Sequence, residues 1–380
     1  MYGAQDASAI WQRDYTGVLE SDGHVAGRAN PALFYNSRDD CRSLVHGDDF
    51  CALGDGAALD QIEKTLRSKC DQKATGNLKL GTGEEQEVIF LNRVLRVAGS
   101  PGDERFEIEA DPRHAEMIAK ELGLGGSSAK SLDTPGLKKE EADEQERESS
   151  PLLVGEEVKR YRSVTMRAAY LSPDRADLGD AVKNLAKYMQ SPRQVDMVRL
   201  KRLGKYLKGR PRIVQTYRRD LRIAAGEPVK ILVLVDSDNA GDKISRRSTV
   251  GQVAFIGRHC VKHGCNLLQV IGLSSGENEY YAISVGACTG LGIKGILDDS
   301  NVASTVRMVS DSSAARGFSS RRGAGKLEHL QTRYLWAQEC IAMRHLRLGK
   351  NWNQGSATAP VVMSTDPTDR PTEEEEEEGG

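Results

Sequence analysis

Apolar and polar positions along the C-terminal third of the chain predict an ordered series of strands and helices. Three short apolar runs come first, followed by a long helical pattern, a further apolar run and two more helical patterns. Residues 226–352 are therefore predicted to form one α/β domain with a mixed sheet and flanking helices. The predicted elements are strands at 229–236, 250–257 and 266–273, a helix at 277–297, a strand at 304–310, a short helix from 312 and a helix at about 327–344.

The N-terminal 124 residues carry shorter patterns. An amphipathic helix is predicted around 10–19, a strand at 87–95 and a helix at 114–122. Residues 41–53 are apolar on both sides of a Gly-Asp-Asp sequence, which predicts a tight β-hairpin with Asp48 and Asp49 at its turn. Two adjacent acids in such a turn are either ordinary turn residues or ligands of a metal ion.

The composition of the chain changes twice in its middle. Residues 125–157 are polar and poor in apolar side chains, which predicts a flexible linker. Residues 158–225 have helical spacing and an excess of basic side chains. One helix face there is either a solvated surface or a surface that follows a nucleic-acid backbone. Its five basic residues are Arg199, Lys201, Arg202, Lys205 and Lys208.

Composition narrows the setting in which we expect the protein to work. The net charge is only −2, and the seven cysteines follow no repeating pattern, which predicts reduced thiols. We see no signal-peptide pattern and no apolar run near the roughly 20 residues that cross a bilayer. We therefore expect an intracellular protein, cytoplasmic or nuclear, without a membrane partner. Residues 353–380, rich in Pro, Thr and Glu, predict a disordered acidic tail.

Acidic residues follow the clearest apolar runs. Asp236 ends the run at 229–236, Asp311 follows the run at 304–310, and Glu277 and Glu279 lie at the start of the long helix. Carboxylates at the ends of two strands and on one helix can converge on divalent cations, and a pair of Mg²⁺ ions can hold the oxygens of a phosphodiester. The alternative is that these acids are turn and cap residues.

A second group of possible metal ligands lies in a predicted hairpin connection. It consists of His259, Cys260, His263 and Cys265, a ligand set that zinc accepts. The group lacks the paired Cys-x-x-Cys spacing, so we favour structural roles for these residues.

Short motifs along the chain follow one another in the order found in a known family of polyproteins. Met1–Trp11 resembles that family's Leu-Tyr-Gly-Leu-Lys-Gln-Ala-Pro-Arg-Ala-Trp segment, and His46-Gly47-Asp48-Asp49 takes the place of its Tyr-Val-Asp-Asp. The shared order covers roughly residues 1–350. The further matches are Asp133-Thr134-Pro135, Tyr161-Arg162-Ser163, Ala169-Tyr170-Leu171, Asp174–Leu178, Lys201–Gly209, Asp236–Asp242, Arg247-Ser248-Thr249, Leu273–Tyr280 and Asp311–Ala314.

The resemblance is to the C-terminal part of copia-type LTR-retrotransposon polyproteins, where reverse transcriptase is followed by ribonuclease H. It implies a truncated polymerase palm at 1–124, a helical thumb or connection at 158–225 and a ribonuclease H-like domain at 226–352. It further implies that Asp236, Glu279 and Asp311 bind Mg²⁺ or Mn²⁺, with Glu277 as the alternative to Glu279. Asp238 and Asp242 are expected to be turn or supporting residues. The implied partner is an RNA–DNA hybrid.

Departures from the family pattern limit the activity that we expect. The family's third palm carboxylate lies before the segment with which this chain starts, and His46 replaces a tyrosine. The family's fourth ribonuclease H carboxylate has no counterpart at 351–360. We therefore expect no polymerase activity and weak hydrolysis of RNA in hybrids. The alternative is an inactive transposon remnant that at most binds nucleic acid.

Overall fold

Three β-sheets organise the part of the chain that the computed structural model describes, which is residues 6–83, 86–126, 130–137, 144–323 and 330–350. We name them the N-terminal, central and C-terminal sheets after their order along the chain. Within those residues the first two sheets have four strands each and the third has five. The protein is a mixed α and β chain with several sheets, as the sequence predicts at that level.

The N-terminal sheet is antiparallel, and two helices cover it. Its strands, in spatial order, are β1 (Val25–Ala26), β2 (Leu33–Asn36), β3 (Cys41–His46) and β4 (Asp49–Leu53). Helices α1 (Ala7–Ser21) and α2 (Gly56–Lys69) pack on it. Leu19 of α1 and Phe34 of β2 are fully buried in the core that the helices form with the sheet. The predicted helix at 10–19 and the predicted hairpin at 41–53 are confirmed.

The central sheet brings together strands from distant parts of the chain. It consists of β5 (Gln86–Phe90), β6 (Arg93–Ala98), β7 (Arg105–Ala110) and β8 (Val214–Arg218), all antiparallel. The single strand predicted at 87–95 is wrong, because the chain reverses at Leu91 and Asn92, which both have positive φ. Strand β8 lies in a region predicted to be helical, since its five residues have little apolar character and give a weak strand pattern.

In the described part of the chain five α-helices lie between β7 and β8, and all of them except the second contribute side chains to one hydrophobic core. They are α3 (Arg113–Glu121), α4 (Glu144–Ser149), α5 (Glu156–Leu171), α6 (Gly179–Ala186) and α7 (Gln194–Gly209). The fully buried side chains of this core include Ile118, Tyr161, Val164, Leu200, Leu203 and Leu207.

Helix α4 lies inside the segment predicted as a flexible linker. Its Arg147 is buried and its Nε donates to Asp196 Oδ1 of α7 at 3.1 Å, while the Arg147 guanidinium stacks on Tyr188. The backbone of Leu152 forms a bridge with Arg193. The described part of this segment from residue 144 onward is therefore packed against the helical core, because one buried ion pair anchors an otherwise polar stretch.

The C-terminal sheet is mixed and has the strand order β11-β10-β9-β12-β13. After the short helix α8 (Leu221–Ala224) come β9 (Val229–Ser237), β10 (Thr249–Ile256) and β11 (His259–Leu267), which pair antiparallel. Strand β12 (Ser304–Val309) pairs with β9 in parallel, and β13 (Arg347–Gly349) pairs with β12 in parallel. The helices of this unit are α9 (Ser275–Asp299), α10 (Ser313–Ser319) and α11 (Trp336–Ala342).

Two predictions for this unit differ from the structure. The third strand, predicted at 266–273, occupies His259–Leu267 because β11 lies at the sheet edge, where a polar sequence with two histidines and two cysteines is tolerated. The predicted helix at about 327–344 is helical over Trp336–Ala342, and residues 324–329 lie outside the described part of the chain.

Helix α9 packs closely on the C-terminal sheet through glycines. A Cβ atom added to Gly286 would lie 2.4 Å from Val235 Cγ1, and one added to Gly290 would lie 2.7 Å from Val306 Cγ1. Among the described helices, α9 alone is long and apolar enough to cross a membrane, and half of its most apolar window is buried within the protein. That burial is the setting of a core helix.

Candidate metal centre

The strand arrangement of the C-terminal sheet places two aspartates side by side. Asp236 is the penultimate residue of β9, and Asp311 follows the end of β12 by two residues. The two strands are parallel neighbours, with Leu234 opposite Val309, so Asp236 and Asp311 lie at the same level of the sheet. Both aspartates are exposed.

Helix α9 supplies a third carboxylate to the same place. Ser274 caps the helix by accepting from the Glu277 backbone N–H at 3.2 Å, which fixes the first turn next to the end of β9. Carboxylate oxygens of Asp236, Glu279 and Asp311 all lie within 4.8 Å of one another. Among the described residues this is the one group of three or more metal-ligating side chains that meets that distance.

Glu279 is held by the residue next to Asp236. Its Oε1 accepts from both the backbone N–H and the hydroxyl of Ser237, each at 3.1 Å, while Oε2 is buried and has no hydrogen-bond donor. Burial raises the pKa of Glu279, and the charges of Asp236 and Asp311 raise it further against the two hydrogen bonds from Ser237. The site therefore contains a carboxylate whose negative charge lacks compensation.

Glu277, the alternative ligand, points its carboxylate elsewhere. Oε1 accepts from the Tyr281 hydroxyl at 2.5 Å and Oε2 accepts from the Leu273 backbone N–H at 2.8 Å. Both oxygens thus stabilise the start of α9. The geometry favours Glu279 over Glu277 as the member of the acidic group.

Asp238 and Asp242 stabilise the loop between β9 and β10, as expected of turn residues. Asp238 Oδ1 accepts from the backbone N–H of Thr249 at 2.9 Å. Asp242 accepts from the backbone N–H of Ser245 at 2.9 Å and forms an ion pair with Lys187 at 2.7 Å. Burial alone would raise the pKa of Asp242, but the Lys187 ammonium and the backbone donors leave it lowered.

Comparisons with known proteins agree with the motif order. The chain is 29% identical over 288 residues to the retrovirus-related Pol polyprotein from transposon RE2 of Arabidopsis thaliana, which covers 75% of this chain and 18% of that polyprotein. It is 31% identical over 127 residues to the uncharacterized mitochondrial protein AtMg00810 of the same plant, covering 33% of this chain and 50% of that protein. The chain is homologous to retrotransposon Pol polyproteins, in agreement with the copia-type resemblance. It spans a fifth or less of the RE2 polyprotein and half of the mitochondrial protein.

The chain is also similar to an effector protein and to a solved structure. The secreted RxLR effector protein 161 of Plasmopara viticola is 34% identical over 110 residues, which cover 29% of this chain and 73% of the effector. A solved structure of a foamy viral protease–reverse transcriptase with an RNA/DNA hybrid aligns with a TM-score of 0.47 and 12% identity, covering 98% of this chain and 41% of that one. No family model matches the chain.

The acids that the copia-type resemblance assigns to a polymerase palm lie on an exposed turn. Asp48 and Asp49 follow Gly47, which has a φ of +63°, in the hairpin between β3 and β4. Both side chains are exposed, and the Trp11 indole N–H fixes the turn by donating to the Gly47 carbonyl at 2.7 Å. No third carboxylate joins them within the described residues.

The basic face predicted on α7 is largely occupied by contacts within the chain. Arg202 donates to the Gly136 carbonyl at 2.8 Å and to the Thr134 hydroxyl at 2.7 Å, and Lys208 donates to the Gly126 carbonyl. Arg199 lies 3.6 Å from Asp196. Lys201 is exposed and Lys205 is half-buried. Nucleic-acid binding by these five residues stays a prediction, and the structure shows packing roles for three of them.

The possible zinc ligands do not assemble. His259, Cys260, His263 and Cys265 lie along β11 and form no group of metal-ligating side chains within the described residues. The His259 ring instead contacts the backbone of Arg218 in β8. Residues 351–360, the place of the family's fourth carboxylate, lie outside the described part of the chain.

Two polar residues near the acidic group have no clear signal in the sequence. Ser237 donates two hydrogen bonds to Glu279, and its only sequence signal is its position directly after Asp236. Asn278 is fully buried, its amide donates to Asn239 Oδ1 at 3.0 Å, and its own Oδ1 has no hydrogen-bond partner. An asparagine between two glutamates at a helix start gives no sequence signal for such burial.

Proposed function

We propose that this chain is a retrotransposon-derived reverse transcriptase and ribonuclease H fragment whose C-terminal sheet hydrolyses RNA in RNA–DNA hybrids. The observation that carries the proposal is the convergence of Asp236, Glu279 and Asp311 within 4.8 Å, with one buried Glu279 oxygen left without a donor. The C-terminal sheet supports it, because a mixed sheet with flanking helices is what the ribonuclease H resemblance implies.

The residues at the site fit a divalent cation. All three donors are carboxylate oxygens, which Mg²⁺ and Mn²⁺ prefer. The raised pKa of Glu279 shows that its charge is destabilised, and a cation would relieve both its burial and its repulsion by the two aspartates. Asp236 and Asp311 are exposed, so their side chains can adjust to the coordination distance of about 2.1 Å that Mg²⁺ requires.

Each protein group has a separate task in the proposed hydrolysis. A bound divalent cation would supply stabilisation of the charge that develops on the phosphate during cleavage. Asp236 and Asp311, at the sheet surface, would hold the cation where a nucleic-acid backbone can approach. Glu279 would complete the ligand set from the buried side, and Ser237 would keep its carboxylate oriented.

The remaining assignments of the copia-type resemblance are part of the same proposal. Residues 1–124 are assigned to a partial palm, 158–225 to a thumb or connection and 226–352 to the ribonuclease H unit. Polymerase activity is not proposed, since Asp48 and Asp49 have no third carboxylate beside them in the described chain. We propose an intracellular location, because the hybrid substrate would be found there.

Cleavage of an RNA–DNA hybrid by the full chain tests the proposal. Each strand carries a different label, and the reaction contains Mg²⁺ or Mn²⁺. We expect slow cleavage of the RNA strand alone and its loss in Asp236→Asn. The matched control is Asp298→Asn, which removes an exposed carboxylate that pairs with Lys294 at the far end of α9.

The outcomes of this assay separate the proposal from its alternative. Cleavage that survives Asp236→Asn would place the activity elsewhere and refute the proposal. Salt-dependent binding of the hybrid without cleavage in either metal, from a folded chain, would instead support an inactive remnant.

A further inference from the structure

We infer that the Ser237 hydroxyl is a positioning group that presents Glu279 to the cation, an inference that rests on the proposed function. The hydroxyl and the backbone N–H of Ser237 donate to the same atom, Glu279 Oε1, each at 3.1 Å. Oε2 of the same carboxylate is buried and has no donor. Two donors on one oxygen leave the other oxygen as the atom available for coordination.

The two Ser237 donors depend differently on which amino acid occupies position 237. Any residue except proline at position 237 supplies the backbone N–H, whereas only a hydroxyl-bearing side chain supplies the second bond. With the backbone donor alone, a single hydrogen bond holds Oε1, and the carboxylate of Glu279 can turn more easily about its terminal torsion, which is broad in glutamate. The hydroxyl adds a second donor to the same oxygen, approaching from another direction, and so narrows the range of this rotation.

The position of Ser237 couples the positions of two proposed metal ligands, Asp236 and Glu279. It directly follows Asp236 on β9, while Glu279 comes from α9, which crosses the sheet. The Ser237 contact therefore sets the distance between a ligand on the sheet and a ligand on the helix. Partners that orient metal ligands commonly contribute 10- to 100-fold to metal affinity. We expect an effect at the lower end, about 10-fold, because the backbone bond remains.

The test uses the full chain and two metal probes, Mn²⁺ for affinity and Tb³⁺ for coordination. Tb³⁺ luminescence decay in H₂O and D₂O reports the number of water ligands. We expect Ser237→Ala to weaken Mn²⁺ binding about 10-fold and to admit up to about one additional water to bound Tb³⁺, since a less constrained Glu279 fills its coordination position only part of the time. Ser237→Thr, which keeps the hydroxyl, should restore both values.

Ser304→Ala is the matched control, since Ser304 lies at the start of neighbouring β12 and its buried hydroxyl has no partner. It should leave Mn²⁺ affinity and the water count unchanged. If Ser237→Ala binds Mn²⁺ with the wild-type affinity and water count, the inference is overturned while the metal centre stands. If the wild-type chain binds no Mn²⁺, or binds it equally well as Asp236→Asn, both the proposed function and the inference fail.

Discussion

Replacing Gly286 with alanine tests how closely α9 packs on the C-terminal sheet. A Cβ atom at position 286 would lie 2.4 Å from Val235 Cγ1 and 3.4 Å from Met308 Cε. Val235 is a buried strand residue directly before Asp236, so its side chain has little room to yield. The added methyl group must therefore push α9, which carries Glu279, away from β9, which carries Asp236.

The expected cost follows from two opposing effects. Forcing an extra methyl group into a packed core costs about 1–3 kcal/mol. Alanine is preferred over glycine in a helix by about 1 kcal/mol, which offsets part of that cost. Gly292 lies on the exposed side of the same helix and has no atom within 4 Å of an added Cβ, so Gly292→Ala gains the second effect alone. The difference between the two variants isolates overpacking at about 1–3 kcal/mol.

Hydrogen exchange of peptides from β9, α9 and β12 measures this difference within the full chain. A loss of about 1–3 kcal/mol speeds exchange roughly 5- to 150-fold in Gly286→Ala relative to Gly292→Ala. The displacement of α9 should also weaken Mn²⁺ binding. Equal exchange rates in the two variants would refute the close helix–sheet packing on which the acidic group depends.

Three further predictions concern contacts outside the C-terminal sheet. Asp299→Ala removes a carboxylate that accepts from the backbone N–H groups of residues 28–30 at 2.8–3.0 Å, so those amides should exchange faster; unchanged rates would contradict a role in docking the N-terminal sheet. Asp196→Ala leaves Arg147 buried without its carboxylate and should cost about 3–5 kcal/mol in urea unfolding, and a loss below about 1 kcal/mol would speak against the pair. Burial lowers the pKa of His24 below 6.5, so the unfolded state takes up a proton more readily and acidification from about pH 7.5 to about pH 5.5 should destabilise the N-terminal sheet. His24→Gln should flatten that pH dependence of thermal unfolding, and an unaltered dependence would show that other groups cause it.

The parts of the fold with continuous apolar patterns could be predicted from the sequence. Strands β9 and β12 and helix α9 are buried together, so their residues carry strong periodic signals close to the observed bounds. The acidic group follows from them, because the ends of neighbouring parallel strands meet at one edge of a sheet. The choice of Glu279 over Glu277 depends on hydrogen bonds to Tyr281 and Leu273 that no spacing rule shows.

Elements stabilised by distant partners could not be predicted. Strand β11 is a polar edge strand, and its extent is set by pairing with β10 rather than by its own hydrophobicity. The helical spacing of the basic residues in α7 is confirmed, because Gln194–Gly209 is a helix. Helical spacing gives no information on what covers the basic face, and residues 134–136 cover part of it.

The pairing of β8 with β7 has a consequence for how the chain can be divided. Strand β7 at Arg105–Ala110 completes its hydrogen bonds with a strand roughly 100 residues later in the chain. A fragment that stops anywhere between them would expose the row of N–H and C=O groups along β7, and such an open edge readily pairs with other molecules and promotes aggregation. Closing so long a loop also makes this pairing a late and slow event in folding. Soluble pieces of this protein should therefore keep residues 86–218 in one polypeptide.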